Sequence, residues 1–141
     1  PSDVKSGYTA IVVTGDAAIS EEFLMYTDTA CSTPSLTWKQ GRSEFTVGSA
    51  SGSNYAVTYK DVAVKVKPST DVAATHLNAF AANNPNITVT FTAGTEASVT
   101  SSGSTKYNLV LVTSTTVKTG DAHDNTTPSE LDSMVMTKAC E

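Results

Sequence analysis

Charge is scarce in this 141-residue sequence, because charged residues make up 16% of it against about 25% in a typical globular domain. The nine Lys and Arg residues are spread along the chain without forming a cluster. A nucleic-acid-binding protein needs such a cluster to neutralise phosphates, so we expect no sequence-specific binding of nucleic acid. The formal net charge is −5, and an acidic surface would suit a passage through which DNA moves without adhering.

Cysteine is nearly absent as well, since only Cys31 and Cys140 occur. They are too few and too far apart for a zinc site or a Cys-x-x-Cys redox pair. Three states of these cysteines remain open: two free thiols, a disulfide within one chain, or a disulfide between neighbouring subunits. A bond within the chain would close a loop of roughly a hundred residues, worth up to about 4–5 kcal/mol in the chain-entropy model.

We favour the bond between subunits. A thiol next to the C-terminus and a thiol in an upstream loop give each chain one donor and one acceptor, so that a head-to-tail contact can repeat into a ring or filament. A protein made in the cytosol would form this bond only after release into oxidising surroundings. The bond between Cys31 and Cys140 of the same chain is the alternative.

Motifs for membrane insertion and catalysis are also missing. No run of about 20 apolar residues is present, so we expect no membrane partner. No signal peptide is visible, and if Pro1 is the natural first residue after loss of an initiator Met, the protein is made in the cytosol. The Gly-x-Ser-x-Gly and P-loop patterns are absent. The sequence therefore predicts a protein that is not an enzyme and has no cofactor.

The residues that replace the missing charge favour β-structure. Val and Thr are abundant, and both suit a pleated, half-buried surface. Tyr8–Val13 predicts a buried strand, and Leu36–Lys39 with Ser43–Val47 predicts a strand pair that turns at Gly41. A change of parity at Lys60–Asp61 predicts a β-bulge. The apolar residues on the two sides of that change are Tyr55, Val57, Tyr59, Val62, Val64 and Val66.

Two segments have helical spacing. Residues 16–26 predict a short helix that begins after Asp16, with Ile19, Phe23 and Tyr26 on one face. Residues 70–83 predict a helix of about three turns, capped by Ser69 or Thr70.

The rest of the chain predicts further strands. Asn86–Phe91, residues 96–101 and residues 106–117 have the pattern of a three-stranded meander. Ser133–Ala139 predicts a last strand in which Met134 and Met136 point inward. The predicted fold is therefore mainly β: one domain over residues 1–141, a β-sandwich or barrel of about eight strands with one flanking helix. Aromatic residues predicted to fill its core are Trp38, Phe45, Tyr55 and Tyr59.

One polar segment gathers groups that could bind a cation or carry out proton transfer. Its spacing matches neither a zinc signature nor a calcium loop, because Gly120 precedes the acidic residues instead of lying among them. We therefore interpret it as a solvated loop and expect no metal site, and we interpret His76 as a structural residue of the predicted helix. The residues of this segment are Asp121, His123, Asp124, Glu130 and Asp132.

The Gly/Ser-rich stretch GSASGSN predicts an exposed hairpin loop. It lacks the Lys and the spacing of phosphate-binding loops. We expect it to contact a neighbouring subunit. Its residues are Gly48, Ser49, Ala50, Ser51, Gly52, Ser53 and Asn54.

With its β-rich pattern, few charges, the helix TDVAATHLNAFAANN between strands and the loop GSASGSN, the sequence resembles tail-tube proteins of tailed bacteriophages. The resemblance implies a β-sandwich whose subunits form hexameric rings, stacked into a tube with an inner β-barrel and an acidic passage for DNA. It also implies copies of the same chain and other virion proteins as partners, and a place in the virion after synthesis in the host cytoplasm. The long barrel hairpins of such proteins are not evident in the sequence.

Two alternatives share these features. A capsid decoration protein of a phage has the same β-rich composition. An extracellular pilin or adhesin at the cell surface is the alternative of a different class, and a mature N-terminus made by signal cleavage would identify it.

Overall fold

The computed structural model describes residues 1–100, 103–113 and 116–131. The described elements are seven strands and one helix, which confirms the mainly β fold with a single helix. Their bounds are β1 (Ser6–Gly15), β2 (Ala18–Tyr26), β3 (Pro34–Ser51), β4 (Asn54–Pro68), α1 (Asp71–Ala82), β5 (Ala97–Val99), β6 (Thr105–Val112) and β7 (Val117–Thr119). The predicted last strand, Ser133–Ala139, lies outside the described residues.

The strands form one antiparallel sheet in the order β1-β2-β3-β4-β6-β7. β4 is long enough for β5 and β6 to share one of its edges, β5 at Val64–Val66 and β6 at Tyr55–Lys60. β5 therefore pairs with β4 instead of β6, and the predicted meander is wrong. Its first member, Asn86–Phe91, is not a strand, because the side-chain amide of Asn78 takes the place of a neighbouring strand. This amide accepts a hydrogen bond from Phe91 N (2.8 Å) and donates one to Phe91 O (2.9 Å).

The helix predicted over residues 16–26 is also wrong, because this segment forms β2 and pairs with β1 along its length. Ile19 and Phe23 are four residues apart, so they share a face in a strand as well as in a helix. The segment forms a strand because a tight turn at Asp16–Ala17 places it beside β1, with which it pairs.

The β3–β4 hairpin is continuous where the sequence predicted a turn at Gly41. Gly41 lies inside β3, opposite a bulge at Val62 and Ala63, and a Cβ on it would lie 2.7 Å from Val62 Cγ2. The bulge is two residues beyond the predicted position. It explains why the buried apolar residues of β4 change from odd to even positions while they stay on the same face of the sheet. Two further register shifts follow, between Ser43 and Thr46 and between Val47 and Ala50.

One face of the sheet is concave. Directly paired residues of an antiparallel sheet point to the same side, so Val66 of β4 and Trp38 of β3 share this face. Near the start of β1 it is covered by α1, whose Ala73 and Leu77 pack against it with Phe91. The buried residues of this core are Leu36, Val64, Val66, Ala73, Leu77 and Phe91.

The start of α1 is fixed by the residue that precedes it. Thr70 is the N-cap, as one of the two predicted caps, and its Oγ1 accepts a hydrogen bond from Ala73 N at 3.1 Å. The same hydroxyl donates to Asp3 Oδ2 (2.7 Å), and Ser35 Oγ donates to Asp3 Oδ1 (2.9 Å). Asp3 thus joins the helix start to the start of β3.

Candidate functional site

The end of the β3–β4 hairpin carries no charge. We call its residues Thr46–Thr58 the outer arm, and none of them is Asp, Glu, Lys, Arg or His. Val47 is 63% exposed and Tyr55 is 45% exposed. Val47 pairs with Val57 and Tyr55 with Val110, so all four side chains lie on the concave face of the sheet. Tyr55 was predicted in the core, and this prediction is wrong because the arm extends past the core.

The predicted subunit-contact loop, Gly48–Asn54, is the tip of the outer arm. Its first four residues continue β3, and Asn54 begins β4. Only Gly52 and Ser53 form the turn, and Gly52 has φ 64°. A two-residue turn with a positive φ only at its first central residue is of type II′, which matches the twist of paired strands. The tip is therefore a strand ribbon, and its contact with a subunit stays a prediction.

Beyond the core, the concave face borders a cavity of about 340 Å³. Its lining comes from both ends of the strand order, because Ile11 belongs to β1 and Thr119 to β7. The sheet therefore curls until its two edges face one space, as in an incompletely closed barrel. The lining residues are Ile11, Ile19, Arg42, Phe45, Val57, Tyr59, Asn108, Val110, Val112 and Thr119.

The floor of this cavity holds an ionic cluster. The Arg42 guanidinium donates to Glu21 Oε2, and Arg42 Nε lies 3.8 Å from Asp61 Oδ1. The guanidinium also lies over the Tyr59 ring, 4.4 Å from its centroid. Arg42 Nε is buried and makes no hydrogen bond within the described part of the chain. Two carboxylates around one guanidinium leave the cluster with one net negative charge.

Tyr59 lies beside this cluster and is 2% exposed. Its ring stacks on Phe45, with centroids 6.2 Å apart. Burial raises the pKa of Tyr59, which outweighs the opposite effects of the Arg42 charge and of the hydrogen bond with Asn108. The phenol therefore stays protonated at neutral pH. The predicted core position of Tyr59 is confirmed, and Trp38 and Phe45 are partly buried on the same face.

The loop before β3 holds Cys31 in a fixed place. Three hydrogen bonds to the Asp28 carboxylate close this loop, from Ser32 N (3.1 Å), Ser32 Oγ (3.0 Å) and Thr33 N (2.7 Å). They hold the pKa of Asp28 well below its usual range, the bond from Ser32 N contributing most. Cys31 has φ 55°, and its Sγ lies 3.3 Å from Ser6 Oγ at the start of β1. Cys140 lies outside the described residues, so its pairing with Cys31 stays a prediction.

The described residues of the polar segment after β7 make separate contacts with β6. The backbone of His123 bonds to that of Tyr107, and Asp124 forms an ion pair with Lys106. The hydrogen bond from Lys106 lowers the pKa of Asp124, and the same contact raises the pKa of Lys106. Among the described residues, no group of three or more His, Cys, Asp or Glu side chains could hold a metal ion. Asp132 lies outside those residues, and His76 is exposed on α1.

The sequence missed two features of the site. The ionic cluster joins residues from three strands, and no local pattern reveals that Glu21, Arg42 and Asp61 meet. The outer arm did have a signal, namely thirteen residues without charge.

Neither a comparison with protein-family models nor a search of curated proteins finds a match to this chain. In the described part of the chain, no helix is both long enough and apolar enough to cross a bilayer.

Proposed function

We propose that the protein is a non-enzymatic structural subunit that assembles with copies of itself through its outer arm. The observation that carries this proposal is the exposed apolar surface of the arm. Val47 and Tyr55 of the arm are exposed by 63% and 45%, and Val112 of the neighbouring strand β6 is exposed by 61% on the same face. Apolar groups concentrated on one uncharged surface mark a site of association between proteins.

The pairing of the arm supports the same conclusion. β6 pairs with β4 only from Tyr55 onward, so Gly48–Asn54 is a ribbon of two strands in the described structure. A two-stranded ribbon is marginally stable on its own, and further strands or packing stabilise it. A neighbouring subunit against the arm would supply that packing.

Among assemblies, we favour a phage tail tube that guides DNA, located in the virion. β3 has 18 residues and β4 has 15, and such long hairpins are what the resemblance to tail-tube proteins implies. The net charge of −5 suits a passage from which DNA is repelled. Other virion proteins would then be the partners at the ends of the tube.

Electron microscopy of the purified full-length protein, with sedimentation velocity across a wide concentration range, tests this function. Rings or stacked tubes are expected. Binding only to preformed capsids would identify a decoration protein, and thin fibres with a signal-cleaved N-terminus would identify a pilin. A protein that stays monomeric at every concentration would contradict self-assembly.

A further inference from the structure

The cavity on the concave face has the size and the lining of a small-molecule site. Its volume of about 340 Å³ lies at the lower end of the range of ligand pockets in proteins. Its apolar lining residues are Ile11, Ile19, Phe45, Val57, Val110 and Val112. Ile11 and Val112 are 39% and 61% exposed, so the cavity is open to solvent. A compact apolar molecule can therefore enter it.

The floor of the cavity adds hydrogen-bond donors to this apolar lining. Tyr59 is 2% exposed and Asn108 is 3% exposed, and both line the cavity. Asn108 Oδ1 accepts a hydrogen bond from Leu109 N at 2.7 Å, which leaves the amide NH₂ to donate. Burial raises the pKa of Tyr59, and the hydrogen bond with Asn108 opposes this effect, as expected of a donor to the phenol oxygen. The phenol can therefore donate its own proton to an acceptor in the cavity.

The charges of the floor select against ionic ligands. Arg42 alone would favour an anion, but its guanidinium already donates to Glu21, and Asp61 Oδ1 lies 3.8 Å from its Nε. An anion would therefore meet a cluster with one net negative charge. A cation would lie beside the guanidinium, which already covers the Tyr59 ring at 4.4 Å from the centroid. Either ion would also lose water against the apolar lining, so the site favours a neutral ligand.

We propose that the cavity binds a neutral molecule of one or two rings with one hydrogen-bond acceptor, such as an aryl ketone. The ring contacts the aliphatic lining and the Phe45 ring, and the carbonyl oxygen accepts a hydrogen bond from the Tyr59 phenol. Arg42 Nε is buried beside the same phenol ring and makes no hydrogen bond within the described residues, so it is a second donor. The site lies within one chain and does not depend on assembly through the outer arm.

Equilibrium dialysis of the full-length protein against four ligands of one size tests the ligand chemistry. They are acetophenone, which is neutral with one acceptor, ethylbenzene, which has no acceptor, and the ions α-methylbenzylamine and benzoate. Acetophenone is expected to bind with a Kd of about 1 mM or lower. Ethylbenzene should bind several-fold more weakly, and the two ions more weakly still. An ion that binds as tightly as acetophenone, or no binding of acetophenone up to about 10 mM, would overturn the proposal.

A matched pair of variants tests whether acetophenone binds in this cavity. Ile11→Trp places a larger side chain in the cavity and is expected to raise the Kd several-fold. Val12→Trp is the control, because Val12 is 41% exposed on the opposite face of β1, and it should leave the Kd unchanged. Equal Kd values in the two variants would show that the ligand binds elsewhere.

A second pair tests the hydrogen bond and keeps the ring in place. Tyr59→Phe removes only the hydroxyl, so it should weaken the binding of acetophenone several-fold and leave that of ethylbenzene unchanged. Tyr107→Phe is the control, because Tyr107 lies on the opposite face of β6 from the cavity residue Asn108. Circular dichroism checks that all four variants are folded. Unchanged affinity of Tyr59→Phe for acetophenone would contradict the role given to the phenol and overturn the proposal.

Discussion

At the scale of single residues, the largely buried ionic cluster shows how polar groups constrain a β-rich interior. Arg42 is 15% exposed and holds two carboxylates in the floor of the cavity. A buried ion pair contributes little to stability relative to apolar residues, but removing one partner leaves an uncompensated buried charge. The cluster therefore constrains the register of β2, β3 and β4 more than it adds stability.

Arg42→Met is expected to reduce the free energy of unfolding by about 3 kcal/mol, because Glu21 and Asp61 lose their counter-charge. Lys39→Met is the matched control. Its ion pair with Glu22 (3.3 Å) is more exposed, and its loss should cost less than about 1 kcal/mol. Urea unfolding monitored by circular dichroism measures both. Equal losses in the two variants would contradict the role given to the cluster.

Asp28 gives the protein a specific sensitivity to acid. Its pKa in the folded protein is lowered, so its hydrogen bonds contribute stability above its unfolded pKa of about 4, and this contribution is lost as the pH falls below that value. Asp28→Asn should lower the melting temperature at pH 7, and the difference from wild type should shrink below about pH 4. Thr29→Ala in the same loop is the control. A difference that stays constant down to acid pH would rule out this linkage.

At the scale of elements, some features could be predicted from local sequence and others could not. The α1 helix was predictable because its cap, its apolar stripe and its end all lie within one segment. The bulge in β4 was predictable from a parity change for the same reason. β2 was not, because Ile19 and Phe23 fit both periods and only the pairing with β1 selects the strand.

The segment Asn86–Phe91 shows a second limit. Its alternation reflects packing against the core, where Ile87, Val89 and Phe91 all contribute. The hydrogen bonds that satisfy Phe91 come from a side chain on α1, so the pattern resembles a strand without belonging to a sheet.

Asn78→Ala tests whether the Asn78 side chain provides the hydrogen bonds that a neighbouring strand would otherwise provide to Phe91. It leaves the backbone N–H and C=O of buried Phe91 without partners, so a loss of about 2 kcal/mol is expected. Asn83→Ala is the control, because the Asn83 side chain bonds only to Ala79 O at the exposed end of α1, and about 0.5 kcal/mol or less is expected. Chemical denaturation of both variants measures the difference. Losses of similar size would show that the Asn78 amide is not essential for this segment.

At the scale of the whole molecule, the concave face is divided between a covered core and an open half. The sequence indicated part of the core, since Tyr59 is buried as predicted and the alternation of Val64 and Val66 agrees with their burial. It indicated the tip of the outer arm only as a loop, because Gly and Ser favour loops locally whereas the strand pairing depends on partners that are distant in sequence. The exposed Val47 and Tyr55 of the arm form one apolar surface only in the folded chain, where they lie on the same face of the hairpin.

Assembly through the outer arm is the central claim, and one matched pair of variants tests it most directly. Val47→Asp places a charge on the arm, and Val72→Asp places the same charge on α1, where Val72 is 45% exposed. Both variants should fold, since neither valine is buried. Sedimentation velocity should show that wild type and Val72→Asp form the same large assemblies while Val47→Asp remains monomeric. Assembly of Val47→Asp to the same size as wild type would contradict the claim.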